Sequence, residues 1–399
     1  MLEPIYLDYM ATTPVDPEVI AAMLSCCGPN GTYGNPHSSH HRLGWEAKKL
    51  VDHAEQTVLE KLRGEDYRVI WTSGATEANN LALIGAAQGN HYRGKHLITI
   101  ATEHKSVLEP CRWLTKHGFS LTILQPDHEG LIHLQQLQQA LTPQTVLISV
   151  MWVNNETGVI QNLPEIQALA AREGILFHVD GAQALGKISI DLQQCPVDLM
   201  SLSAHKAYGP KGCGVLLVKE RPRNRVQPQL MGGGQQRGFR GGTVPTQQVV
   251  AMAKAVELAV DKQVEESKRL RSLRDKLLAG LMPLGKISVN GSITLRVVNN
   301  LNLGIEGIDG EALLLATPEL AMSTGSACNS MLSESSYVLR GIGLSEAAAR
   351  SSIRISLGRF TTEEMIDVAI EKLTASIKKL RKLSPTWQEL GAETTWKKS

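Results

Sequence analysis

The sequence predicts an α/β protein: a large domain with a mostly parallel sheet, joined to a smaller α+β domain. Three observations carry that expectation. Short apolar runs of strand length alternate with helix-length segments through much of the chain. Several of those runs end in small polar or ionisable residues, at the edge where open parallel sheets bind ligands. Beyond a glycine-rich stretch from Met231 to Thr243 and a long helix, the texture changes. At 399 residues and 42% hydrophobic content, the chain can build one large or two medium cores.

The elements follow in order. Strand-like runs are Val69–Trp71, His96–Ile100, Val146–Val150, Ile175–Val179 and Gly214–Val218. Helical stretches between them are Ala78–Ala87, Leu134–Leu141 and Leu163–Glu173. The long helix is expected over Gln247–Leu281. After it come strands within Ile293–Leu303, a helix Gly310–Leu315 and a final helix Thr362–Leu383. The domain boundary is placed near residue 260. The large domain then takes 13–260, and the small domain takes 1–12 with 261–399. No internal repeat or low-complexity segment is visible.

Composition removes several function classes. Net charge is +2, so no global field draws the chain to nucleic acid or a membrane. The basic runs Arg221–Arg225 and Lys378–Lys382 read first as solvated faces and helix C-terminal charge, and second as a docking patch for an acidic partner. The N-terminus lacks a basic, then apolar, leader pattern, and no run reaches membrane-spanning length; the expected place is the cytoplasm. Six cysteines (Cys26, Cys27, Cys111, Cys195, Cys213, Cys328) show no CxxC spacing, so neither a zinc site nor a disulfide framework is expected.

Two strand ends carry the chemistry. Phe177-His178-Val179-Asp180 ends an apolar run in a carboxylate, and Ser203-Ala204-His205-Lys206 places an amine among small residues after another. An amine that holds an aldehyde cofactor covalently and a carboxylate that keeps a pyridine nitrogen protonated are what pyridoxal phosphate (PLP) needs. Gln183, three residues after Asp180, can reach the same ligand. Ser73-Gly74-Ala75-Thr76 precedes a helix and offers backbone donors and a hydroxyl to a phosphate; Ser203 and His205 add donors. His104 follows a strand, where an imidazole can stack on a planar ring and move protons. Cys328 sits in a small, polar, aperiodic segment, 323–330, a context that exposes a thiol. Arg354 alternates with apolar residues, and an inward guanidinium suits a carboxylate. Each residue alone also has an ordinary structural reading: cap, turn, backbone partner or chance loop cysteine.

Taken together and in order, these segments resemble the cysteine desulfurases of the IscS/NifS type, fold-type I PLP enzymes of the class V aminotransferase group. The resemblance runs from Tyr6-Leu7-Asp8-Tyr9 to Leu383-Ser384-Pro385. It is most specific at Thr72–Glu77, Val153–Glu156, His178–Asp180, Ala204–Lys206 with Tyr208–Gly212, and Gly325–Cys328. It implies that Lys206 holds PLP and moves the Cα proton, that Asp180 binds the pyridine nitrogen, and that Gln183 binds the phenolic oxygen. It implies that His104 stacks on the ring, and that Ala75, Thr76, Ser203, His205 and a Thr243 from the partner of a homodimer hold the phosphate. Asn155 would contact cofactor and substrate, and Arg354 the substrate carboxylate. Cys328 would take sulfur from L-cysteine as a persulfide and leave alanine. The implied acceptors are an IscU-like iron–sulfur scaffold, where the persulfide transiently ligates a cluster, and others including those of tRNA thiolation. No resident metal, membrane or stable nucleic-acid partner is implied. Met10 and Trp152 depart from the resemblance, standing where a small polar residue and a histidine are usual, and Trp152 is expected to bear on the ring or substrate environment. Two other readings stay open: a PLP enzyme of another reaction, such as an aminotransferase or selenocysteine lyase, and a non-catalytic scaffold holding iron through thiols.

Overall fold

The computed structural model describes residues 4–221, 224–324, 335–384 and 387. The described strands are β1 (Ile5–Tyr6), β2 (Tyr67–Thr72), β3 (His96–Ile100), β4 (Ser120–Leu124), β5 (Thr145–Met151), β6 (Leu176–Asp180), β7 (Leu199–Ser203), β8 (Gly214–Lys219), β9 (Ile287–Val289), β10 (Asn300–Ile305), β11 (Leu320–Ala321) and β12 (Ser352–Ser356). Seven form the main sheet in the order β2-β8-β7-β6-β5-β3-β4. Only β8 runs against the others, being antiparallel to both β7 and β2. Every residue of β3, β5, β6 and β7 is buried, which is why these strands read as near-continuous apolar runs.

This order brings the carboxyl ends of β2, β7, β6, β5 and β3 to one edge. The turns after those strands carry Gly74, Lys206, Asn155 and His104, and Asp180 is the last residue of β6. The carboxyl edge of a parallel sheet is where ligands bind.

A three-stranded antiparallel sheet, β12-β10-β9, and the parallel pair β1-β11 form the second sheet system. Leu7, Leu270, Leu277, Leu303, Ile355 and Leu373 belong to its apolar cluster. Helix Gln263–Leu281 buries Leu270, Leu273, Leu277 and Leu281, and helix Glu363–Leu383 buries Ile366, Ala369, Leu373 and Ile377. Both series recur at three or four residues, one face of a helix.

Four sequence expectations need adjustment. The long helix is two helices, Thr246–Asp261 and Gln263–Leu281, which meet at Lys262. The strand within Ile293–Leu303 begins only at Asn300, because Ser292 and Arg296 fold the preceding stretch onto itself. Leu295 N–H donates to Ser292 Oγ, and the Arg296 guanidinium donates to the Ser292 and Asn290 carbonyls. The helix expected over Ala78–Ala87 starts at Ala75 and passes through a π-helical turn at Leu81–Gly85. The basic run near the C-terminus is not wholly solvated. Arg381 is buried, donates to the Leu284, Gly285 and Glu306 carbonyls, and lies over the Trp387 ring at 4.0 Å.

Candidate active site

A cleft of about 510 Å³ opens at the carboxyl edge of the main sheet. Of the residues singled out from the sequence, Ala75, Thr76, His104, Asn155, Asp180, Gln183, Ser203, His205, Lys206 and Arg354 line it. Thr243 does not line it and is exposed on the glycine-rich stretch. Cys328 lies outside the described residues.

One end of the cleft is built by the turn after β2. Gly74 has φ 152° and ψ 178°, a conformation essentially restricted to glycine, and it is the N-cap of helix Ala75–Asn80. A side chain at Gly214 would collide with the Gly74 backbone, so the two strands' glycines allow a close approach here. No side chain caps the helix's first turn. Glu77 instead accepts from Ser73 N–H and from Arg240, and is held below its ordinary range by Arg240 and Ser73 against the opposing effect of burial. The glycine-rich stretch is pinned from the other side, where the Gln236 amide pairs with both backbone groups of Trp71.

The middle of the cleft is a hydrogen-bonded chain. Asp180 Oδ1 accepts from Ala182 N–H, and Oδ2 accepts from Asn79 Nδ2 at 2.8 Å. Asn79 also donates to Ser106 Oγ at 2.9 Å, and Ser106 Oγ meets His104 Nδ1 at 2.8 Å. Ser106 N–H donates to His104 Nδ1 as well, so Nδ1 is an acceptor and the neutral ring carries its proton on Nε2. Burial lowers the His104 pKa, Asp180 opposes that shift, and Lys206 and Lys105 add to it. Glu103 is fully buried, and its pKa is raised well above the ordinary carboxylate range by burial and then by Asp180. Asn79 was not singled out from the sequence, because its partner Asp180 lies 101 positions away.

Lys206 stands at the other end. Its amine donates to the Met10 and Ala11 carbonyls, each at 2.7 Å. The N-terminal segment holds this turn throughout: Thr13 N–H donates to the His205 carbonyl, and His205 Nδ1 meets Thr12 Oγ1 at 3.0 Å. Tyr208 adopts a left-handed φ of 63°, fixed by its N–H to Thr13 Oγ1 and by Arg359 N–H to its hydroxyl. Burial, followed by Lys206, Lys211 and Lys187, pushes His205 down to about 4. A neutral His205 can still donate through one ring nitrogen.

Arg354, in β12, is 2% exposed and pairs with Asp8 at 2.7 Å. It also donates to the Asn155 carbonyl at 2.7 Å. Asp8 was not singled out from the sequence. Strand β12 ends at Ser356, and the nearby Arg359, also largely buried, pairs with Asp16 and Glu266. Of the adjacent amides, Asn155 lines the cleft while Asn154 closes the turn by accepting from Glu156, Thr157 N–H and Thr157 Oγ1. Trp152 is buried in the core cluster and does not line the cleft, so its expected effect on the site's environment is not a direct contact.

The aminotransferase class V family model matches residues 5–368. The chain belongs to the aminotransferase class V family. Among curated class V relatives it is 50% identical over 384 residues to a protein named cysteine desulfurase IscS from Tolumonas auensis, covering 96% of this chain and 95% of that one. It is 49% identical, with the same coverage, to the IscS of Vibrio vulnificus. Among solved structures, a NifS-like protein superposes with a TM-score of 0.85 at 32% identity, over 95% of this chain and 99% of that one. A structure titled "SspA in complex with cysteine" superposes with a TM-score of 0.79 at 35% identity, over 90% and 100%. The class V chain is thus of the IscS/NifS type, and its fold is the α/β fold of type I PLP enzymes. The family is PLP-dependent, and this cleft fits that cofactor on its own terms. It joins a glycine turn with a helix start that no side chain caps, a buried carboxylate beside an imidazole, and a lysine amine.

Among the described residues no set of three or more His, Cys, Asp or Glu side chains is grouped to hold a metal. Among them, too, no helix is long and apolar enough to cross a membrane.

Proposed function

We propose that this class V protein is a cysteine desulfurase that converts L-cysteine to L-alanine and takes the sulfur as a persulfide on Cys328. The observation that carries the reading is where the Cys328 segment is tethered. On its N-terminal side, Ser323 pairs through its backbone with Arg354, in the cleft wall. On its C-terminal side, Ser336 Oγ bonds buried Glu156, and Tyr337 lines the cleft. Both flanks of the segment that carries Cys328 therefore meet the cleft, which supports assigning the sulfur acceptor to it. The described cysteines are poor alternatives: burial pushes Cys111 and Cys213 up to about 12 and Cys195 to about 11, raises Cys26, and exposed Cys27 is not in the cleft.

In this reading Ala75, Thr76, Ser203 and His205, with Thr243 from a partner subunit, hold the PLP phosphate. Asp180 would pair with the ring nitrogen, His104 would stack on the ring, and Lys206 would hold the aldehyde. Bound PLP supplies an electron sink that loosens the bonds around the substrate's Cα. The chain's own groups do the rest. Arg354 and Asn155 orient the substrate carboxylate. Lys206 takes and returns the proton at Cα. Asn79 and Ser106 fix the His104 ring. The Cys328 thiolate accepts sulfur from the substrate's Cβ, so one thiol and L-cysteine become one persulfide and L-alanine.

The same reading includes a homodimer in the cytoplasm and delivery of the persulfide sulfur to an IscU-like iron–sulfur scaffold and to acceptors such as those for tRNA thiolation. It also divides the chain into a cofactor domain, 13–260, and a small domain, 1–12 with 261–399. The break at Lys262 supports that division, as does the cluster that joins Leu7 to residues beyond 270.

The test is alanine formation from L-cysteine by the PLP-loaded protein with a reducing thiol present. Alanine is expected from the wild type and not from Lys206→Ala. Equal alanine from Lys206→Ala, or none from the loaded wild type, contradicts the reading.

A further inference from the structure

Lys187 is half-buried and lies outside the residues assigned above. It follows Gln183 by four residues across a turn in which Gly186 is left-handed at φ 73°, and the two side chains meet. Its amine donates to Gln183 Oε1 at 2.8 Å, with the Lys206 carbonyl at 3.5 Å. It also lines a small hollow of about 20 Å³ beside Lys206, with Tyr9, Glu266 and Arg359 around it. That volume admits about one water molecule.

An amide side chain can turn over, exchanging donor and acceptor. At Gln183 both ends are fixed by partners of a single kind. A lysine amine bearing three protons only donates, so it takes the amide oxygen. The Met10 carbonyl only accepts, so it takes Nε2, at 2.9 Å. The same carbonyl accepts from Lys206. Lys187, Gln183, Met10 and Lys206 therefore form one continuous line along the cleft wall. Burial, and then Lys206, push Lys187 down to about 7. The neutral amine still carries two hydrogens, so the contact to Oε1 persists as it titrates.

We propose that Lys187 is a positioning residue for the cofactor: it holds the Gln183 amide with its NH2 group toward the cleft, offering the second amide hydrogen to an oxygen acceptor on PLP. The inference rests on the reading that this cleft takes PLP. Without Lys187, the Met10 carbonyl alone orients the amide, and the part of the population that turns over presents oxygen to oxygen.

A double-variant cycle tests it, using Lys187→Met, Gln183→Leu and the pair in the full-length protein. The PLP dissociation constant and the position of the bound cofactor's visible band are read for each. Losing one oriented hydrogen bond corresponds to about three- to tenfold in affinity. Each single variant is expected to bind PLP about three- to tenfold more weakly with a shifted band. The double variant is expected to match Gln183→Leu within about twofold, because the two act through one contact. Multiplying losses in the double variant, or an unshifted band in Lys187→Met, would overturn the proposal. If Lys187→Met does not stay folded, a structure of the loaded wild type decides: Lys187 Nζ beyond hydrogen-bond reach of Gln183 Oε1 would overturn it. A wild type that binds no PLP would instead refute the reading of the cleft.

Discussion

Replacing Asp8 by alanine isolates the most consequential ion pair in the cleft wall. Arg354 is 2% exposed and its partner Asp8 15% exposed, with a 2.7 Å contact between them. Among the described residues the guanidinium's other hydrogen bond is to the Asn155 carbonyl, and its Nε has no partner. Asp8→Ala therefore leaves a buried cation with one neutral acceptor. Breaking a buried pair from one side costs about 3–5 kcal/mol, against about 0–1 kcal/mol for a surface pair. Unfolding entropy for a chain of this length is about 0.8 kcal/mol per kelvin. The melting temperature should fall by about 4–6 °C, measured by calorimetry at neutral pH. Asp8→Asn, which keeps an acceptor oxygen, should fall by less. A loss under about 1 °C for Asp8→Ala would show that Arg354 is not held as a buried charge and would refute this reasoning.

Other expectations follow from the same geometry. His178 is buried between Ser149 Oγ and Ser201 Oγ, and burial pushes it down to about 3. The unfolded state then binds a proton that the folded state does not, so stability falls with decreasing pH between about 6.5 and about 3, by about 1.4 kcal/mol per unit. His178→Gln should flatten that part of the urea-midpoint profile, and an unchanged slope would contradict it. Gly74→Ala forces a side chain into a glycine conformation at a cost of about 1–3 kcal/mol, which should weaken PLP binding about tenfold in a cofactor titration. Retained affinity would mean the turn relaxes freely. Trp152→His removes core volume without touching the cleft, so it should cost about 2–3 kcal/mol in denaturant unfolding while the KM for L-cysteine stays within about twofold. A large KM change would return Trp152 to the site.

The sheet was legible because β3, β5 and β6 are buried on both faces, and burial leaves an apolar run. Edge strand β4 went unmarked for the opposite reason: only Leu124 is buried in it. Lys206 and Asp180 stood out because ionisable groups at the ends of apolar runs are unusual. Asp8, Asn79 and Lys187 did not stand out. Asp8 meets Arg354 across 346 positions, and Asn79 meets Asp180 across 101, so no local pattern announces either pair. The Met10 and Ala11 carbonyls that hold Lys206 are backbone groups, which any residue type supplies. The break at Lys262 was invisible because helical backbone torsions and the surrounding apolar spacing continue through it.

The most direct test of the account is intact-mass spectrometry of the PLP-loaded protein after brief exposure to L-cysteine, with wild type and Cys328→Ala side by side. The account predicts a gain of one sulfur atom on the wild type alone, with alanine formed in step. An equal gain on both proteins, or alanine without any added sulfur, would take the sulfur transfer away from Cys328 and contradict the account.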